Sequence, residues 1–150
     1  MLSQINACGL MGIDGFMVRV QTDISNGMPS LNVVGLPDIA VKEAKERIHS
    51  AIRNTGFKFP SKHITINLAP ANKRKEGTAY DLPLAVSILN ASGQLNTDDI
   101  DDAVFIGELS LDGSVMSVSG VLPMVISAYK LGYKKFFVPA GNANEAAVVK

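Results

Sequence analysis

The 150-residue sequence holds one cysteine, no tryptophan, two histidines and only 6% aromatic residues. Each shortage closes off a class of protein. A single cysteine, Cys8, can form no intrachain disulfide, which suits a reducing compartment. His49 and His63 stand without a second ligand at metal spacing, so metal catalysis has no support. No apolar stretch reaches the length of a membrane helix, and no basic segment followed by an apolar one opens the chain. The expected location is therefore the cytoplasm. The net charge is zero, so the chain as a whole is no polycation. Gly-x-x-x-x-Gly-Lys-Ser/Thr, a post-strand Gly-x-Gly-x-x-Gly, His-Glu-x-x-His and a nucleophile elbow are all missing, and no cofactor is expected within these residues.

What is present is an ordinary globular composition, 47% hydrophobic and 19% charged, in a length that fits one domain with a real core. The charge is unevenly spread. Between Lys42 and Glu76 lie nine basic residues (Lys42, Lys45, Arg47, Arg53, Lys58, Lys62, Lys73, Arg74, Lys75) against three acidic ones. Acidic residues gather later, at Asp98, Asp99, Asp101, Asp102, Glu108 and Asp112. Such asymmetry fits either a phosphate-facing side or simply a solvated face.

In chain order, residues 3–11 and 15–24 form a predicted hairpin, the second arm alternating Phe16, Val18 and Val20 with Met17, Arg19 and Gln21. Asn26-Gly27 and Pro29 mark a turn, and residues 31–35 a third strand. A helix follows, with Asp38 as its expected cap and Gly56 beyond its end. Val41, Ala44, Ile48, Ala51 and Ile52 share its apolar face, and Glu43 with Arg47 is an expected i,i+4 pair. His63 to Leu68 alternates as a half-buried strand. From Asp81 to about Ala91 a helix is apolar nearly all round and should be buried, with Thr78 or Asp81 as cap. Residues 93–102 read as an exposed acidic connection, 103–111 as a strand bent at Gly107, and Asp112-Gly113 as a hairpin turn. A helix over 121–131 closed by Gly132, a short buried strand at 136–139 and the start of a helix at Asn142 complete an α/β order.

The junction between the strand and the buried helix carries Lys73-Arg74-Lys75 and Gly77-Thr78. A cationic loop entering a helix N-terminus can hold phosphate, and it can equally be an ordinary surface loop. Lys73, Arg74 and Lys75 are the first candidates for contacts to DNA phosphates, Arg53 and Lys62 the second.

Three blocks carry a resemblance to a known family: Val34-Gly35-Leu36-Pro37-Asp38-Ile39-Ala40-Val41-Lys42-Glu43-Ala44-Lys45-Glu46-Arg47, then Asn67-Leu68-Ala69-Pro70-Ala71, then Lys75-Glu76-Gly77 with Asp81-Leu82-Pro83. Together they resemble the amino-terminal domain of the ComM/YifB family, the magnesium-chelatase-like competence proteins, over nearly all of residues 1–150. The resemblance implies a ribosomal protein S5 domain 2-like fold, α/β (α+β) with a mixed sheet and helices packed on it. That fold is shared with the Lon protease domain and the carboxy-terminal domain of RadA. It also implies membership of a hexameric AAA+ ATPase using ATP and magnesium and acting on DNA in branch migration, recombination and natural transformation. The ATPase module of that family lies outside the matching residues. A chelatase activity rests on the family's traditional name alone.

Residues 107–115, with Ser119-Gly120 and residues 128–133, resemble the Lon segment around its catalytic lysine. By that resemblance the Lon serine falls at Ala79 and the lysine at Leu122. Alanine has no nucleophile and leucine no base, so a non-catalytic, DNA-binding or purely oligomerising domain is expected.

Overall fold

A computed structural model describes residues 2–70, 75, 78–95, 100 and 102–147. The chain opens with the expected hairpin, β1 (Leu2–Met11) and β2 (Asp14–Ser25), paired in antiparallel register from Leu2↔Asp23 to Met11↔Asp14. Gly12, at φ +64°, makes the reversal in a conformation that suits glycine. β3 (Ser30–Val34) runs parallel to β4 (His63–Ala69), which pairs antiparallel with β2. On the other flank, β5 (Ala103–Phe105) lies parallel to β1, and β8 (Lys135–Phe137) parallel to β5. The six-stranded order is β3-β4-β2-β1-β5-β8, a mixed sheet with helices packed on it, as expected. A second, two-stranded sheet pairs β6 (Glu108–Leu109) with β7 (Val115–Met116) around the Asp112-Gly113 turn.

Period-two alternation sends Ile5, Ala7, Val18, Val20, Ile64, Ile66 and Leu68 to one face. There they meet α1 (Asp38–Asn54) through Ala44, Ile48, Ala51 and Ile52, and α2 (Asp81–Ala91). α2 is buried on ten of its eleven residues. Two of its three buried polar residues are satisfied from β1 and β2: Ser87 Oγ donates to Thr22 Oγ1, and Ser3 Oγ donates 2.5 Å to Asn90 Oδ1. α3 (Val121–Lys130) covers the opposite face beside β1 and β5, packing Val121, Met124, Val125 and Ala128 on Cys8, Val104 and Ile106. Gly15 permits this approach, because a Cβ there would lie 2.7 Å from the Pro123 carbonyl oxygen. A 3-10 turn (Ala140–Asn142) and the one-turn α4 (Ala143–Ala146) follow.

Several expectations need correction. Asp38 is the first residue of α1 and not its cap; Pro37 occupies the cap position, where its missing N–H costs nothing. Neither Thr78 nor Asp81 caps α2, whose cap residue is Tyr80 with no side-chain bond. The segment 103–111 divides at Ile106-Gly107 between two sheets instead of bending as one strand. β8 is an edge strand with Phe137 43% exposed, stacked on Phe105 at 4.7 Å, and not a buried one. Half of the acidic connection, residues 96–99 and 101, lies outside the described residues.

Candidate functional site

β1 and β5 are parallel neighbours, yet their pairing ends at Ala7↔Phe105 while β1 continues to Met11. After β5 the chain turns away: Gly107 N–H donates to the Ala79 carbonyl at 3.1 Å, and Leu82 N–H to the Gly107 carbonyl at 3.0 Å. The separation opens a cleft of about 690 Å³. One wall is β1 from Cys8 to Leu10; the others are Thr78–Tyr80 and Ser117–Ser119, with Met124 of α3 at the base. Crevices beyond the carboxyl ends of diverging parallel strands are where open α/β sheets bind ligands.

The cleft contains hydroxyls and a thiol but no activated nucleophile among the described residues. Ala79, where the Lon resemblance puts a serine, lines it and offers a methyl group. Leu122, where the resemblance puts a lysine, is half-buried in the first turn of α3 and is not among the lining residues. Its N–H donates 2.8 Å to Glu145 Oε2. Cys8 is buried with Sγ 3.6 Å from the Met124 carbonyl oxygen, and burial pushes its thiol up to about 12, so almost no thiolate exists at neutral pH. The Tyr80 hydroxyl is buried without a hydrogen-bond partner among the described residues, and its proton is held more tightly than usual by burial and by Cys8. Among the described residues no three His, Cys, Asp or Glu side chains gather as a metal site. His49 is exposed and packs against Phe59 with the rings tilted by 33° and their centroids 4.4 Å apart; His63 shares a 2.7 Å hydrogen bond with Ser30 Oγ.

The described cations among those expected to meet phosphate, Arg53, Lys62 and Lys75, do not form one patch. Lys73 and Arg74 lie outside the described residues. Lys75 is 1% exposed, its ammonium donating to the Pro70 carbonyl, and burial lowers its pKa. Its charge therefore does not face solvent as an exposed phosphate contact would. Arg53 is exposed on the last turn of α1, and Lys62 is exposed just before β4. Lys62 and Pro70 bracket the seven residues of β4, which span about 23 Å, so Lys62 and the Lys75 ammonium at the Pro70 carbonyl stand at opposite ends of the strand. Lys62 shares a separate cavity of about 730 Å³ with Lys58, a pairing that spacing along the chain did not reveal. Gln94 pins Lys58 there, accepting from its N–H at 2.9 Å and donating to its carbonyl at 2.7 Å.

Sequence reasoning also missed the principal buried ion pair. Arg47 leaves Glu43 and binds Asp81 in a two-toothed contact, while Leu109 N–H donates 3.1 Å to Asp81 Oδ2. Residues 34 positions apart give no local signal of such a contact.

Residues 20–142 match the family model described as subunit ChlI of Mg-chelatase. The chain belongs to this family. It is 43% identical over 139 residues to the competence protein ComM of Haemophilus influenzae and 41% identical over 148 residues to the YifB protein of Escherichia coli. Those matches take in 93% and 99% of this chain but 27% and 29% of the relatives, so the chain spans less than a third of their length. A weaker likeness, 32% over 87 residues, links it to a mitochondrial Lon protease homolog of Caenorhabditis briggsae, over 58% of this chain and 9% of that protein. ComM/YifB membership is thus established, and the mixed α/β fold agrees with it.

Proposed function

We propose that residues 1–150 act as a non-catalytic assembly and DNA-binding domain within a larger ComM-type AAA+ ATPase, one that assembles as a hexamer in the cytoplasm and uses ATP and magnesium. The work of the whole protein would be DNA branch migration in recombination and natural transformation. The observation that carries the reading is the family match; it is supported by hydrocarbon side chains, Ala79 and Leu122, at the two positions where the Lon resemblance places a hydroxyl and an amine. Exposed Arg53, Lys58 and Lys62 supply cations that need no base sequence to bind phosphate.

Fluorescence titration with labelled single- and double-stranded DNA at low salt tests it. Weak binding that fades with salt is expected, together with a loss of affinity in Lys58→Ala/Lys62→Ala and in Lys73→Ala/Arg74→Ala. Binding unaffected by all four substitutions overturns the assignment of those residues, and no binding at low salt overturns the DNA role. Incubation with unfolded casein should yield no cleavage; proteolysis that tracks the pure protein refutes the non-catalytic reading.

A purely oligomerising domain is the second reading, with the basic loop of one subunit on the acidic 98–102 segment of the next. Light scattering separates the two, since a loop used in assembly changes the oligomeric mass when neutralised.

A further inference from the structure

We propose that the face of the six-stranded sheet turned away from α1 and α2 holds a single strand of nucleic acid, running from Lys134 to Arg19 with Tyr133 stacked on a base. The inference rests on the DNA-binding reading above and gives it a surface that Arg53, Lys58 and Lys62 do not share.

Register lays out the track. Phe136 pairs with Val104, Val104 with Asn6, Asn6 with Arg19 and Arg19 with Ala69. These positions form one row across five adjacent strands, about 19 Å from β8 to β4. Arg19, Gln21 and Asn67 alternate with the core residues Val18, Val20, Ile66 and Leu68, so they point away from α1 and α2. Arg19 is exposed, which shows that α3 leaves this part of the face open. Two hollows lie along the row. One, of about 480 Å³, is lined by residues 131–135 and Asp102; the other, of about 270 Å³, includes Asn6, Arg19, Gln21 and Pro70. Tyr133 lines both, so they meet at this residue.

The chemistry along the row suits a nucleic-acid strand. Lys134 and Lys135 are exposed at one end and Arg19 at the other. Lys135 has Asp102 at 3.8 Å, whereas Lys134 and Arg19 have no acidic partner at ion-pair distance among the described residues. Such cations neutralise phosphates whatever the base sequence. Tyr133 is half-buried and packs against the cluster of Cys8, Val125 and Ala128, which holds it in place before a base arrives. Stacking on a tyrosine serves any base, but only a base freed from a duplex can reach it. Past Arg19, the Asn67 amide donates 3.1 Å to Gln21 Oε1, and this leaves the Gln21 amide hydrogens and the Asn67 carbonyl for base edges. Exposed Asp23, farther along the same face of β2, repels phosphate and bounds the track there.

The test combines photocrosslinking with anisotropy. An oligo-dT octamer carrying 5-iodouracil, irradiated with the chain at low salt, should crosslink at Tyr133 and leave the buried Tyr80 unlabelled. Tyr133→Leu, which keeps apolar packing but removes the ring, should weaken binding about tenfold. Arg19→Gln should lower the slope of log affinity against log salt by about 0.7, the share of one phosphate contact on a single strand. The proposal is overturned by crosslinks that avoid Tyr133, by unchanged affinity in both variants, by a duplex bound as tightly as the single strand, or by poly-glutamate of equal charge bound as tightly as the octamer. DNA affinity that survives Tyr133→Leu and Arg19→Gln but falls in Lys58→Ala/Lys62→Ala overturns this inference and leaves the proposed function standing. No binding of any DNA at low salt overturns both.

Discussion

Arg47 and Asp81 form a paired contact across two helices, Nε 2.6 Å from Oδ2 and Nη2 3.0 Å from Oδ1, with the carboxylate side chain only 2% exposed. Because Leu109 N–H reaches the same carboxylate, one side chain fixes α1, the start of α2 and β6 together. Burial pushes the Asp81 carboxyl above the ordinary carboxylate range; the guanidinium and the Leu109 amide pull the other way. Arg47→Met should therefore cost about 3 kcal/mol at neutral pH, since it strands a buried charge.

The same pair sets a pH dependence. A carboxyl whose folded pKa is raised favours the folded state fully below its unfolded value of 3.8, and that contribution is lost as pH climbs through the raised folded value. Urea unfolding of the parent and Asp81→Asn at a series of pH values should show the parent's advantage shrinking over that interval. In Arg47→Met the opposing cause is gone, so the decline should reach higher pH. A flat difference would refute the assignment.

Gly9 and Tyr80 compete for one space. Gly9→Ala would set a methyl 2.2 Å from the Tyr80 oxygen and 2.7 Å from Phe16 Cζ, and should destabilise the chain by about 2 kcal/mol. Adding Tyr80→Phe removes the nearer clash and should restore part of the loss. Additive effects in a double-mutant cycle would show that the two positions do not interact.

Ser87 and Thr22 satisfy each other in the interior. Ser87→Ala leaves the Thr22 hydroxyl unpaired and should cost about 1–2 kcal/mol, whereas Ser87→Ala with Thr22→Val should recover much of it. Denaturant midpoints decide the matter.

Cys8, with its thiol pushed to about 12, should react with iodoacetamide at pH 8 at least about a thousandfold more slowly in the folded chain than in urea. Rapid native labelling would contradict its burial beneath α3.

The elements that the sequence disclosed are those written in local code. Glycine and alternation placed the β1–β2 hairpin, and an unbroken apolar run placed α2 from Asp81 to Ala91. The misses share a cause: each was settled by a partner distant along the chain. Glu43, four residues away, was the apparent mate of Arg47, yet Asp81 offered a buried two-point contact. Lys75 looks exposed among three consecutive cations, but its ammonium turns inward to Pro70. The cleft was invisible for the same reason, since residues 8–10, 78–80 and 117–119 meet only once β1 and β5 part. Ala79 and Leu122 were legible as chemistry, though only Ala79 lines the cleft.

β4 turns Ile64, Ile66 and Leu68 inward and His63, Thr65 and Asn67 outward, where Asn67 Nδ2 donates 3.1 Å to Gln21 Oε1. That parity makes the strand a vernier with two settings. An insertion of one residue ahead of Ile64 would bring three aliphatic side chains to the water and three polar ones against α1 and α2, whereas an insertion of two would restore the correct face. Length changes tolerated at this point should therefore come in even steps.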